Sequence, residues 1–200
     1  MSKTGDDWSF STFVHNTLAI PKIYSLLGWT VIAVDEKRAE DMDIHHGIDY
    51  MFVNEVGLSI SVQERFRDSF YEKYDDATLR FRREKNPDAE RIRSEFYKIN
   101  ADYLVYGITN GKKFPDKRNT LTDFVKWVVL DLNFLRYQYD CGGVRIITNS
   151  QNTRCWISEN ALCCPEKFNP DGSSSFLPFS IPIINQLWGS SSIKMQKGFL

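Results

Sequence analysis

No apolar run in this chain approaches the ~20 residues that a membrane helix needs. The longest, such as Tyr103–Tyr106 and Trp127–Leu130, span four residues, so no membrane partner is expected. The first seven residues, Met1 to Asp7, are polar and acidic. They lack the basic and apolar regions of a signal peptide, and none is expected. Cysteine is scarce: Cys141, Cys155, Cys163 and Cys164 form no Cys-x-x-Cys pair. The adjacent Cys163 and Cys164 suit a disulfide poorly, and the spacing does not support a zinc site. A reduced, intracellular (cytoplasmic) protein is the simplest expectation. Charge excess is also missing, with 25 Lys+Arg against 26 Asp+Glu. That excludes a histone-like polycation but leaves nucleic acid open, because binding depends on where charge sits. No internal repeat is visible.

Apolar material is not lacking. Hydrophobic residues make up 42% and aromatics 14% of 200 residues, enough for one domain with a sizeable core. We expect an α/β core over residues 1–150 and an extension over 151–200 packed on it, forming a single domain.

The spacing of Phe13, Leu18, Ile20, Ile23, Leu26 and Leu27 predicts a helix over 9–28, kinked at Pro21 and ended by Gly28. Trp29–Val34 is β-prone. From Val31 to Glu55 there are seven acids against two bases, a local net charge of −5. Gly47–Val53 reads as a strand, Asn54–Gly57 as a turn, and Leu58–Phe66 as the hairpin partner. In that second strand Ile60, Val62 and Phe66 share one face, and Ser61, Gln63, Arg65 and Arg67 share the other. Glu64 falls on the apolar face, so a bulge or strand end is expected there. His45 and His46 read as part of a solvated loop.

Residues 65–93 carry nine bases against seven acids, with interleaved aromatics. The Arg-rich part (Arg80, Arg82, Arg83 and onward to Arg93) fits either a phosphate-gripping surface or a solvated helix face. Asp88–Asn100 reads as a helix and Ala101–Thr109 as a central strand. Residues 110–123 form a basic loop in which Lys112, Lys113, Lys117 and Arg118 suit contact with a nucleic-acid backbone. Strands over Lys126–Leu132, Val144–Thr148 and Thr153–Ile157 follow, with a short helix over Asn133–Tyr139. The Ser- and Pro-rich end still carries enough apolar residues to pack on the body.

The hairpin holds the strongest chemical signal. Asp49 precedes Gln63 by fourteen positions, and Arg65 lies two further along the same strand face. Facing side chains of neighbouring strands can converge on one ion or phosphate. A carboxylate and a second oxygen ligand can hold Mg²⁺, while a cation orients water or steadies phosphate. An Asp opening a strand, a turn, and then an acid-x-Lys triplet resembles the PD-(D/E)xK nuclease superfamily. The order of a helix, this hairpin, a further helix and two strands is also similar.

The resemblance implies a mixed central β-sheet flanked by helices, the restriction-endonuclease-like core. It also implies a Mg²⁺- or Mn²⁺-dependent endonuclease acting on DNA, with RNA left open, of restriction or phage-related type, and a homodimer as in many such enzymes. By position Asp49 matches the metal-binding Asp, Gln63 the second acid and Arg65 the Lys, with Glu64 as an additional carboxylate ligand. Arg67, Arg80, Arg82 and Arg83 are candidates for nucleic-acid contact. The Gln-x-Arg form keeps open an alternative, a nuclease fold that binds nucleic acid or serves in a larger complex without cleaving. Glu36, Glu40 and Asp43 are candidate extra ligands, and Tyr106 a candidate neighbour.

Overall fold

The computed structural model describes residues 3–82 and 95–200. The strands are β1 (Thr30–Ile32), β2 (Tyr50–Val53), β3 (Ser59–Arg67), β4 (Asp76–Arg82), β5 (Tyr103–Thr109), β6 (Phe124–Asp131), β7 (Val144–Ile147), β8 (Trp156–Ser158), β9 (Ala161–Pro165), β10 (Lys167–Phe168), β11 (Ser175–Ser180) and β12 (Ile193–Lys197). A six-stranded mixed sheet runs in the order β1-β2-β3-β5-β6-β12. Only β3 and β5 are parallel; the other neighbours pair antiparallel. A parallel pair needs a crossover, and residues 68–102 supply it.

The N-terminal helical layer covers one face of the sheet. It is helical from Lys3 to Leu27 and is capped by Gly28 at φ 66°. Phe10, Val14, Leu18 and Ile23 bury against Val62, Phe66, Val105 and Val129. The chain does not break at Pro21. Residues His15–Tyr24 instead widen into a π-helix. Proline lacks an N–H and crowds the carbonyl four residues back, so a wider turn relieves the conflict. The side chains of Asn16 and Thr17 donate to the Thr12 and Phe13 carbonyls, at 3.0 and 2.6 Å.

The other face carries more strand than the sequence suggests. Two three-stranded sheets lie there, β10-β11-β4 and β7-β9-β8, together with helices Leu132–Asp140 and Ile181–Trp188. Arg80 and Arg82 therefore sit on a strand rather than on a helix face. Ala77, Leu79 and Phe81 bury themselves between the charged positions, an alternation masked by the surrounding charge. Of the helix expected over Asp88–Asn100, Glu95–Lys98 is helical; Arg83 and residues 84–94 lie outside the described residues. Residues 151–200 contribute β8 to β12, and β12 pairs with β6 in the central sheet.

Two further expectations shift. Asp35 caps a helix over Glu36–His46 by accepting the Arg38 N–H at 3.0 Å, and Gly47 closes it at φ 58°. His45 and His46 are thus an exposed helix end rather than a loop, and β2 starts at Tyr50 instead of Gly47. Among the described residues no helix is long and apolar enough to cross a membrane.

Phe66 and Phe124 meet closely over Gly107, their rings 5.6 Å apart. A Cβ on Gly107 would lie 2.6 Å from Phe124 Cε1. Gly107→Ala should therefore cost about 1–3 kcal/mol by overpacking, read as a lower midpoint in thermal unfolding at roughly 2–4 °C per kcal/mol. An unchanged midpoint would show that Phe124 yields freely.

Candidate active site

The two strands of the hairpin differ in length, and that difference builds the site. β2 runs alongside β3 only as far as Tyr50 opposite Val62. β3 continues to Arg67, pairing with β5 without a register shift. Where β2 ends, the Asp49 N–H still donates to the Val62 carbonyl at 2.9 Å. The Asp49 side chain then replaces the missing strand: its Oδ2 accepts the Glu64 N–H at 2.7 Å. The same oxygen accepts Gln63 Nε2 at 2.8 Å.

Gln63 is 8% exposed. Its amide nitrogen lies between Asp49 Oδ2 and the Glu64 carbonyl oxygen, the latter 3.4 Å away. Its Oε1 is buried without a hydrogen-bond partner. Gly47 leaves the room for this, since a Cβ there would come within 3.3 Å of that oxygen. Arg65 lies two residues on, opposite Tyr106 in the parallel register. Asp49, Gln63 and Arg65 thus share one sheet face, as the alternation predicts.

Glu64 departs from expectation. The strand neither bulges nor ends there, and its carboxylate enters the opposite, helical face. His15 Nδ1 lies 2.8 Å from Glu64 Oε1, and the Tyr24 hydroxyl donates to the same oxygen. His15 also stacks on Tyr50 at 3.6 Å with rings 5° from parallel. The Glu64 side chain does not join Gln63 at the Asp49 carboxylate; only its main-chain N–H does. Glu36, Glu40 and Asp43 are solvent-exposed on their helix, and Tyr106 is buried in the core.

The partners of Glu64 are what the sequence reading missed. His15 and Tyr24 are nine residues apart, about two and a half turns of a 3.6-residue α-helix, and would face opposite ways. The wider π turn brings them onto one side. The available signal was a polar residue on each of two apolar faces that had to pack together.

Charge accumulates behind the site. Burial pushes the Tyr24 phenol well above its ordinary range, and the Glu64 and Asp49 carboxylates push it further. The same causes raise Tyr50 strongly. Asp49 Oδ2 and the Glu64 carbonyl oxygen flank the Gln63 NH₂, which fills the point between them. A cation held there would need that amide to swing aside. With one carboxylate in contact, the cation would keep several waters, as Mg²⁺ prefers. Among the described residues no group of three His, Cys, Asp or Glu side chains stands as a metal cage.

Further along β3 lies a cleft of about 480 Å³. Arg65, Arg67, Arg80, Lys112 and Lys113 line it, with Phe70, Tyr71 and Phe114 among the remaining lining residues. Four of the residues expected to contact nucleic acid (Arg67, Arg80, Lys112 and Lys113) therefore come together. Others do not join them. Arg82 pairs with Glu166 at 2.9 Å. Arg118 donates to Ser9 Oγ at 2.8 Å and to the Lys113 carbonyl at 3.4 Å, pinning the loop to the first helix. Lys117 lies against the Phe114 ring.

The raised tyrosines give a pH signature. Unfolded phenols ionise near pH 10, whereas Tyr24 and Tyr50 hold their protons in the folded protein. Above that pH the unfolded state binds fewer protons, so stability falls as pH rises. Denaturant midpoints should drop from about pH 9 to pH 11, and Tyr50→Phe should flatten the drop. Parallel profiles for wild type and variant would contradict the shift.

No protein-family model, curated protein or solved structure matches this chain.

Proposed function

We propose that the chain is a Mg²⁺- or Mn²⁺-dependent nuclease of the PD-(D/E)xK type that hydrolyses DNA phosphodiester bonds. One observation carries this reading: Asp49 Oδ2 and the Glu64 carbonyl oxygen both flank the Gln63 amide, at the edge of β3 that β2 leaves open. The element order supports the restriction-endonuclease-like core: a helical N-terminus, an antiparallel hairpin, a crossover, a parallel strand and then an antiparallel one.

Asp49 and Gln63 would hold the cation with the Glu64 carbonyl. The cation would polarise the phosphate and lower the pKa of a bound water. Arg65 remains charged at any working pH. Its role is therefore to hold the scissile phosphate or orient the attacking water rather than to remove a proton. Arg67 and Arg80 extend the positive wall along the nucleic-acid backbone. The buried Glu64 pair with His15 and Tyr24 fixes the strand that presents Gln63 and Arg65.

Cleavage of plasmid DNA with Mg²⁺ or Mn²⁺ is the test. Asp49→Ala should fall to the level of chelator-treated wild type. Gln63→Glu adds a second carboxylate and should lower the Mg²⁺ concentration giving half-maximal cleavage. Equal cleavage by wild type and Asp49→Ala would refute the catalytic reading. The second reading, binding without turnover, draws on the Gln63 NH₂ that now fills the cation point. It gives salt-sensitive retention of DNA and no products under either metal.

A further inference from the structure

The cleft beside Arg65 carries aromatic surface that phosphate binding does not explain. Phe70 is 59% exposed, Phe114 54% and Tyr71 37%, and all three line it. Each ring has a cation against it. Lys112 Nζ lies 5.6 Å from the centre of Phe70, Lys117 Nζ 5.9 Å from Phe114 and Arg67 Cζ 5.2 Å from Tyr71. A duplex turns its phosphates outward and hides the faces of its bases in the stack. Exposed rings gain nothing from such a rod. Unpaired nucleotides offer both a charged backbone and free base faces, and base–aromatic stacking beside basic groups is how single strands are held.

The backbone that carries the rings is also held in place. Asp68, which is 9% exposed, accepts the Phe70 N–H on Oδ1 at 3.0 Å and the Lys113 N–H on Oδ2 at 3.4 Å. The Ser69 N–H donates to the Gly111 carbonyl at 2.9 Å. One buried carboxylate therefore ties the turn bearing Phe70 and Tyr71 to the loop bearing Lys112 and Phe114. Pre-organised rings lose little freedom on binding.

From this we infer that the cleft takes unpaired nucleic acid, stacking bases on Phe70 and Phe114 while Arg67, Arg80, Lys112 and Lys113 follow the phosphates. The inference rests on the nucleic-acid reading of this site and names its substrate class.

Equilibrium binding in chelator separates it from catalysis. The probes are oligothymidine of about 16 nucleotides, a duplex of equal length, and an equally long abasic strand with the same phosphates and no bases. Oligothymidine should bind tightest. Phe70→Ala and Phe114→Ala should each weaken it by roughly 5- to 100-fold while leaving the abasic strand unchanged, and Phe70→Trp should restore binding. Oligouridine showing the same dependence on the rings would extend the inference to RNA. If the duplex or abasic strand binds as well as oligothymidine and the Phe variants match wild type, stacking is overturned, while the phosphate-binding reading survives provided that Arg67→Ala weakens all probes. Absence of binding to any probe would overturn both.

Discussion

A single oxygen, Asp49 Oδ2, organises this structure. It accepts the main-chain N–H of Glu64 where the neighbouring strand has stopped, so β3 continues without a β2 partner and without an orphaned donor there. A buried N–H left unmade would cost about 1–3 kcal/mol. Satisfying it with a side chain rather than a strand opens the sheet at that point. Gln63 then meets the same oxygen, and the polar face of β3 turns toward a cleft instead of a partner strand. The acid that looks like a ligand is thus also a structural substitute for backbone.

The opposite face of the same strand is a constraint of a different kind. A carboxylate buried among apolar residues is expensive unless its oxygens are met by donors. Here the donors come from a helix, which had to change its own geometry to supply both. Polar interactions therefore lie on both sides of residues 63 and 64. Their side chains alternate between the Asp49 side of the sheet and the network with His15 and Tyr24. Arg65 and Arg67 continue the Asp49 side toward the basic wall.

Local features of this arrangement were legible in the sequence. The turn at Asn54–Gly57, the shared face of Gln63 and Arg65, and the apolar Ala101–Thr109 strand all follow from period and turn chemistry. What was not legible depends on distant partners. β4 hides in a charged run because its burial is set by β11, about a hundred residues later. The straight course of β3 through Glu64 depends on His15 and Tyr24, which no strand-level pattern can report. Alternation predicted correctly which side Glu64 faces. It could not predict that the facing side would accept it.

The π segment has a consequence for the chain as a text. Its first and last residues, His15 and Tyr24, are the two that reach Glu64. The eight positions between them act as a measured spacer, and their number matters in a way that several of their identities do not. Removing one would return the segment toward α-helical winding and turn one donor away from the carboxylate. Exchanging Asn16 or Thr17 for another polar residue would leave both in place. In this stretch the fold reads length before it reads letters.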